Sequence, residues 1–310
     1  LKEIYPLMKG SVEFFMDFLV EDPKGNNLVT NPSTSPENPP KGPGYEYFFD
    51  EVTGFYYFTT ICYGSSVDMQ ILSDLFGNYA KAGKLLELDQ DFITEVVEAG
   101  KRLVPPQVGK DGTLQEWTQD LEQLEDKHRH FSHLYGLYPG NVISVNRTPQ
   151  LIDACKAVLE QRGDGGKGFS RAWKMALWAR LYEGDRANSI FKGYIAEQCY
   201  PQLFAKCGTP LQIDGTMGVA AGLTEMLLQS HEDMIHLLPA LPAEWQSGSF
   251  RGVCARGGFE LSFNWVSGKL RDLEVLSKAG RPCTLKYKEK LVTFETQKDQ
   301  IYKFDSMAFK

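Results

Sequence analysis

Up to about residue 235, apolar side chains recur at three- and four-residue steps, the spacing of one buried helical face. Beyond it they alternate with polar ones, the spacing of strands. Residues 1–20 set Ile4, Leu7, Met8, Val12, Phe15 and Leu19 on one side of a helix. Asp68 to Leu86 repeats the pattern with Met69, Leu72, Leu75, Phe76 and Tyr79, and Thr148-Pro149 starts a helix that buries Leu151, Ile152, Cys155, Val158 and Leu159. Two further segments, Ser170 to Tyr182 and Met217 to Leu228, are apolar almost all round, as buried helices are. One-sided helices interleaved with all-round ones predict two concentric helical layers. After residue 235, HLLPALP, the run from Ser249 to Ser277, CTLKYKEKLVTFETQ and IYKFD read as short strands. Phe259, Leu261, Phe263 and Trp265 alternate with polar residues, and Ser267-Gly268 offers a hairpin turn. The pattern predicts a mainly α chain: helices over 1–235, then a small antiparallel, β-sandwich-like domain over 236–310. There is no internal repeat and no low-complexity tract.

Between the helices lie long loops rich in glycine, proline and aromatics: Pro32 to Gly64, Pro105 to Gln115, His128 to Arg147 and Tyr200 to Gly215. Long structured loops on a helical scaffold are where function concentrates. Composition narrows the ligand. A chain of 310 residues, 42% hydrophobic, is ample for a core, and 33 basic against 40 acidic residues give a net charge of −7. No basic cluster tracks phosphates, so nucleic acid is not the expected partner, and a neutral ligand fits better. No apolar run approaches a membrane span, and no signal peptide precedes the first helix. That helix lacks an N-cap, as expected of a piece of a longer protein. The six cysteines are irregularly spaced and read as free thiols, with Cys199 and Cys207 the best-placed pair. No pattern specifies an oligomeric state.

Three loop segments carry candidate chemistry. In TNPSTSPEN (30–38), Pro32 and Pro36 fix φ and remove two donors, while Ser33, Thr34, Ser35 and Asn38 can tie the loop down by side-chain hydrogen bonds. The loop presents Glu37. Burial among Pro36, Pro39, Tyr45, Tyr47, Phe48 and Phe49 would keep it protonated, as a proton donor needs; a turn carboxylate is the plainer alternative. In QIDGTMG, Asp214 stands directly ahead of a helix whose free amides and dipole favour the ionised state. It reads as a base or as an ordinary N-cap. Two carboxylates tuned in opposite directions are what glycoside hydrolysis uses, roughly 6.5–9.5 Å apart when the chemistry inverts. HRHFSHLYGLYPG gathers His128, Arg129, His130 and His133, but the spacing is not that of a zinc site and no metal is expected. Arg129 and His130 fit better as donors to sugar hydroxyls, with His133 packed internally. Trp117, Trp173 and Trp178 can offer a stacking platform, though the last two fall on a core helix. No G-x-S-x-G elbow supports a serine nucleophile.

TNPSTSPEN, HRHFSHLYGLYPG, GFSRAWKMALWARL (168–181), QIDGTMG (212–218) and HLLPALPAEW (236–245), in this order, resemble glycoside hydrolase family 95, the 1,2-α-L-fucosidase family. The resemblance covers nearly the whole chain. It implies part of a six-hairpin α/α toroid followed by a small β domain, and removal of terminal α-linked L-fucose, or L-galactose, with inversion and without a cofactor. It implies a fucosylated glycan as partner and an extracellular or periplasmic location. By resemblance Glu37 matches the general acid, and Asp214 the carboxylate that polarises water-orienting amides. Arg129 and His130 match sugar contacts, and Asn38 and Trp117 are taken as further substrate contacts. The family's Asn-x-Asn segment lies upstream of this sequence, so only the second half of the toroid is expected here. Relatives usually read Asn-Phe where this chain has Thr216 and Met217, which alters the wall beside Asp214. A catalytically silent sugar-binding fragment, a toroid-fold glycoside phosphorylase and a metal-dependent hydrolase remain alternatives.

Overall fold

The computed structural model describes residues 1–42, 45, 47–123 and 126–309, with the backbone alone at 47, 48 and 56–58. The chain forms two compact units, Leu1–Gly163 and Asp164–Lys310.

The first unit runs α1 (Tyr5–Phe18), β1 (Leu19–Glu21), β2 (Leu28–Thr30), β3 (Pro40–Lys41), β4 (Tyr47–Asp50), β5 (Phe55–Phe58), α2 (Ser66–Leu86), α3 (Gln90–Arg102), β6 (Glu122–Gln123) and α4 (Ile152–Arg162). Helix α1 buries Tyr5 and Val12, with Met8, Phe15 and Leu19 packed alongside, while Ile4 and Leu7 point outward. The buried stripe is therefore rotated from the expected one. Helix α2 sinks Met69, Leu72, Phe76 and Tyr79 as the periodicity predicts, and Tyr79 stacks on Tyr5 with ring centroids 5.2 Å apart. The pattern reading passed over α3, whose Ile93, Val96 and Ala99 complete this core at three-residue steps.

The region read as helical also holds three antiparallel ribbons, β1–β2, β3–β6 and β4–β5. Branched and aromatic runs such as Leu28-Val29-Thr30 and Phe55 to Phe58, flanked by Asn-Asn and Gly turns, favour strands over helix. "Mainly α" is thus only partly right. Buried Gln70 of α2 pins the loop that follows β6: its Nε2 donates to the His133 carbonyl at 2.7 Å and its Oε1 accepts the Gly136 N–H at 2.5 Å.

The second unit contains α5 (Gly168–Arg180), α6 (Gly184–Glu197) and α7 (Ile213–Leu227), then β7 (Leu228–Gln229), β8 (Ile235–Leu237), β9 (Ser247–Ala255), β10 (Phe259–Val266), β11 (Lys269–Ser277), β12 (Cys283–Tyr287), β13 (Lys290–Phe294) and β14 (Gln300–Asp305). Ten of the thirteen residues of α5 are buried, as its all-round pattern predicts. Helix α7 is different. Only Gly215, Gly222, Met226 and Leu227 are buried, and Met217 is exposed. Arg180 of α5 forks onto Glu225 of α7, Nε to Oε2 at 2.5 Å and Nη2 to Oε1 at 3.2 Å, a bidentate pair that fixes the two helices against each other.

The strands form two four-stranded sheets, in the orders β14-β11-β10-β9 and β13-β12-β8-β7. Their apolar faces share one core that includes Leu237, Leu261, Phe263, Leu273, Val275 and Leu285. The β10–β11 hairpin turns at Ser267 and Gly268, both at positive φ, the conformation that a two-residue hairpin loop requires. One detail departs from the antiparallel expectation, because β8 pairs with β12 in parallel. All six cysteines are free, Cys199 and Cys207 included.

Candidate active site

The loop 30–38 is held by side chains at almost every step. The Thr30 and Ser33 hydroxyls both donate to Asp68 Oδ2 in the first turn of α2, at 2.8 and 2.7 Å. Ser33 also exchanges backbone hydrogen bonds with Cys62, both 2.8 Å. The Asn38 N–H closes a turn onto the Ser35 carbonyl at 3.3 Å. Within that turn Glu37 sits at φ 53°, a left-handed conformation that costs a non-glycine residue free energy unless its neighbours are fixed. The neighbours are fixed: Ser35 and Asn38 are fully buried, whereas the Glu37 side chain is 59% exposed.

Glu37 meets the second expected loop. Its carboxylate forms an ion pair with Arg129, and His130 Nε2 lies 3.8 Å from the same oxygen. Nδ1 of His130 lies 3.1 Å from the Pro36 carbonyl, a contact that places the proton on Nδ1 and leaves Nε2 a lone pair. Burial, more than the nearby cations Arg129 and Arg162, pushes His130 below its ordinary value, so the ring is neutral at neutral pH. Glu37, Arg129 and His130 therefore gather at one exposed spot. Of the burial expected around Glu37, the described residues show only that of Pro39: Pro36 and Phe49 are exposed, Tyr45 is half-buried, and the side chains of Tyr47 and Phe48 lie outside the described residues.

Two other expected contacts are corrected. Asn38 is buried beneath the loop, and its amide donates inward to Glu116 Oε2 at 2.7 Å. Trp117 lines a cleft of about 410 Å³ together with Gln115, Asp120 and Gln161, but only 2% of its surface is exposed, too little to offer a ring face to a sugar. The segment 114–118 runs beside residues 64–65, where Ser65 bridges to Trp117 and Thr118 Oγ1 donates to the Gly64 carbonyl, and it meets the loop through Glu116.

That segment also brings in a residue the sequence reading missed. Glu116 is buried, its Oε1 accepts the Ser35 hydroxyl at 2.5 Å, and its Oε2 accepts Arg162 Nη2 at 3.1 Å besides Asn38. His133 Nδ1 lies 3.3 Å from the same Oε2, and its ring is fully buried. Burial pushes the Glu116 carboxyl up, against the pull of Arg162 and the two loop donors. Burial, with Arg162 second, drives His133 well below its ordinary value, so it is the internally packed neutral imidazole that the spacing suggested. Among the described residues no three His, Cys, Asp or Glu side chains gather as a metal set.

Asp214 belongs to the second unit. It is the second residue of α7 rather than the residue ahead of it, and it is exposed; the cap position is Gln212, whose side chain is turned away to accept the Phe169 N–H at 2.9 Å. The helix start is seated by close packing. A Cβ on Gly215 would fall 2.7 Å from Ala205 Cβ and 2.8 Å from the Gly168 carbonyl carbon, so the backbones of α5 and α7 approach as only glycine allows. Thr216 Oγ1 accepts the Ala205 N–H at 2.9 Å and ties the preceding loop to the same turn.

Comparison with known proteins adds the following. Residues 1–227 match the family model described as the glycosyl hydrolase family 95 catalytic domain, and residues 229–308 match the glycoside hydrolase family 95 C-terminal domain. Alpha-L-fucosidase 2 of Arabidopsis thaliana is 35% identical over 98% of this chain and 36% of its own length. A probable alpha-fucosidase A of Aspergillus niger is 30% identical over 84% of the chain and 34% of its own length. The chain thus spans about a third of the length of the curated relatives it matches. A putative kojibiose phosphorylase from the human microbiome shares the fold, with a TM-score of 0.56 at 10% identity over 97% of this chain and 43% of that one.

Proposed function

The chain belongs to glycoside hydrolase family 95, and on that footing we propose that it supplies the proton donor and the sugar-gripping side chains of an inverting α-L-fucosidase or α-L-galactosidase, built as the second half of a six-hairpin toroid. The substrate in this reading is a terminal α-linked L-sugar on a glycan, outside the cell or in the periplasm. The observation that carries the reading is the meeting of Glu37 with Arg129 and His130 at one exposed spot.

In the free site Arg129 occupies the Glu37 carboxylate. An entering sugar offers hydroxyls to the guanidinium and to His130, takes over these partners and covers the acid. Freed of Arg129 and covered by the sugar, the carboxylate takes up a proton from water, and Glu37 then gives that proton to the glycosidic oxygen as the bond from that oxygen to the anomeric carbon breaks. Water adds to the opposite face of the carbon, and its proton passes to the base system in which Asp214 takes part. The product is the free sugar of inverted configuration and an alcohol on the glycan. Glu37→Gln keeps the shape and removes the proton. Hydrolysis of an α1,2-linked fucosyl oligosaccharide should fall by about 10²–10⁴-fold, with the first-formed sugar of the parent protein seen as the inverted anomer by NMR. A loss of less than threefold would remove Glu37 from the role.

A further inference from the structure

We propose that Glu116 is the positioning residue for Glu37, a buried carboxylate that fixes the turn from which the acid projects. The inference rests on the proton-donor reading of Glu37. One oxygen of Glu116 holds Ser35, two residues before Glu37, and the other holds Asn38, one residue after it. The carboxylate therefore spans the turn like a staple, and the left-handed residue between the two anchors is Glu37 itself. His130 grips the Pro36 carbonyl, so 35, 36 and 38 are each held by a side chain from elsewhere in the chain, and the Glu37 side chain projects to the surface between these anchors.

Arg162, at the end of α4, and His133 complete the surroundings of Glu116. Arg162 neutralises its charge, and both side chains of that pair are within 1% of full burial. The rigid elements of the unit thus reach the acid through one carboxylate. A general acid must meet the leaving oxygen at hydrogen-bond distance, and an error of about 1 Å in such a group costs on the order of 10²-fold in rate. The ion pair with Arg129 cannot supply that precision. Arg129 is half exposed, and in the proposed reaction it leaves Glu37 for the sugar.

Glu116→Gln tests the staple. The amide replaces one acceptor by a donor and removes the charge that Arg162 offsets, so it no longer holds Ser35, Asn38 and Arg162 as the carboxylate does. Ser35→Ala, which removes one anchor and keeps the ion pair, serves where the first variant folds poorly. Amide hydrogen exchange over 30–38 should quicken by about tenfold or more in both variants, with α2 and α3 unchanged. This readout does not depend on turnover. Hydrolysis of an oligosaccharide with a poor leaving group should fall on the order of 10²-fold in kcat for Glu116→Gln, and by at least about tenfold less for α-L-fucosyl fluoride, whose leaving group needs no proton. Unchanged exchange in the loop, or equal losses on the two substrates, would overturn the proposal. Glu37→Gln run beside them keeps the two readings apart. If it shows no dependence on leaving group, the donor role of Glu37 fails. If it shows the dependence and Glu116→Gln does not, only the positioning role fails.

Discussion

Glu37 and Asp214 are the two carboxylates singled out for chemistry, and the molecule fixes them by different means. The turn at Glu37 is held by charge and hydrogen bonds, with Glu116 and Arg162 buried beneath it. The helix start at Asp214 is held by shape, with Gly215 seated against Ala205 and Gly168. A loop with two prolines and few apolar side chains has nothing else to be held by, and buried polar partners supply the directional contacts it needs. A helix start can use its backbone, because two glycines let α5 and α7 touch without side chains between them. The first region should respond to changes of charge and the second to changes of size.

The largest expected effect is on the charge-held side. Arg162→Met keeps the length of the side chain and removes the cation, leaving Glu116 as an uncompensated buried carboxylate. Breaking one partner of a buried pair costs about 3–5 kcal/mol, whereas the net value of the intact pair is much smaller. Urea denaturation at neutral pH should show that loss. A change of less than about 1 kcal/mol would mean that Glu116 escapes its charge, by protonation or by contact with water, and the contrast between the regions would fall.

Much of this was legible in the sequence, but not its keystone. The faces of α2 and α4, the buried length of α5 and the alternation of β10 follow from periodicity, because local spacing alone decides which side chains share a face. Gln90 to Arg102 carries the same signal and could have been found. Glu116 could not. It lies in a loop with no periodicity, and its partners Ser35, Asn38 and Arg162 stand 81, 78 and 46 residues away. For the same reason Trp117 is expected at the surface, since its residue type suits sugar contact and nothing local reveals that it faces inward; of the two roles read for Asn38, tie of the loop and sugar contact, the structure shows the first. The extra ribbons in the first unit were missed because strands of two to four residues are too short to show a period.

Acid probes whether the contrast extends beyond these two sites. In β8 of the second unit, burial and then Lys286 push His236 down to about 4, and the Tyr182 ring stands edge-on to it at 5.2 Å. An unfolded histidine titrates near 6.5, so between about pH 4 and 6.5 the unfolded chain binds the extra proton. Stability is therefore lost as pH falls through that window, by roughly 3 kcal/mol at its lower end. His133 in the first unit is depressed in the same direction. Acid should act on both units, so sensitivity to charge marks the loop 30–38 rather than its whole unit. His236→Gln should flatten the pH dependence of the second unit's thermal midpoint; an unaltered slope would show that another group carries it.

On the shape-held side, Gly215→Ala adds one methyl where the nearest atoms are 2.7 and 2.8 Å away and one of them is backbone. Overpacking of this kind costs about 1–3 kcal/mol. Alanine gains up to about 1 kcal/mol over glycine in helix propensity, so a net loss isolates the contact. The loss should be the same at pH 5 and pH 8. A stabilised variant would show that α5 and α7 can separate freely, and that Asp214 is not held by this packing.

The smallest effect on stability is expected where the functional reading asks most. Arg129 and Glu37 form an ion pair with both side chains half exposed, and such pairs contribute about 0–1 kcal/mol because water solvates either partner when the other is lost. Arg129→Met should leave the unfolding midpoint within that range. In the proposed reaction the weakness of the pair has a chemical use, since an arginine that passes from carboxylate to sugar cannot be strongly committed to either. Loss of binding to fucosylated oligosaccharide in this variant, measured by titration calorimetry, can then be assigned to the sugar contact rather than to damage in the fold. If Arg129→Met binds normally and unfolds early, Arg129 is a structural partner of Glu37 and the division between a rigid buried pair and a releasable exposed one is wrong.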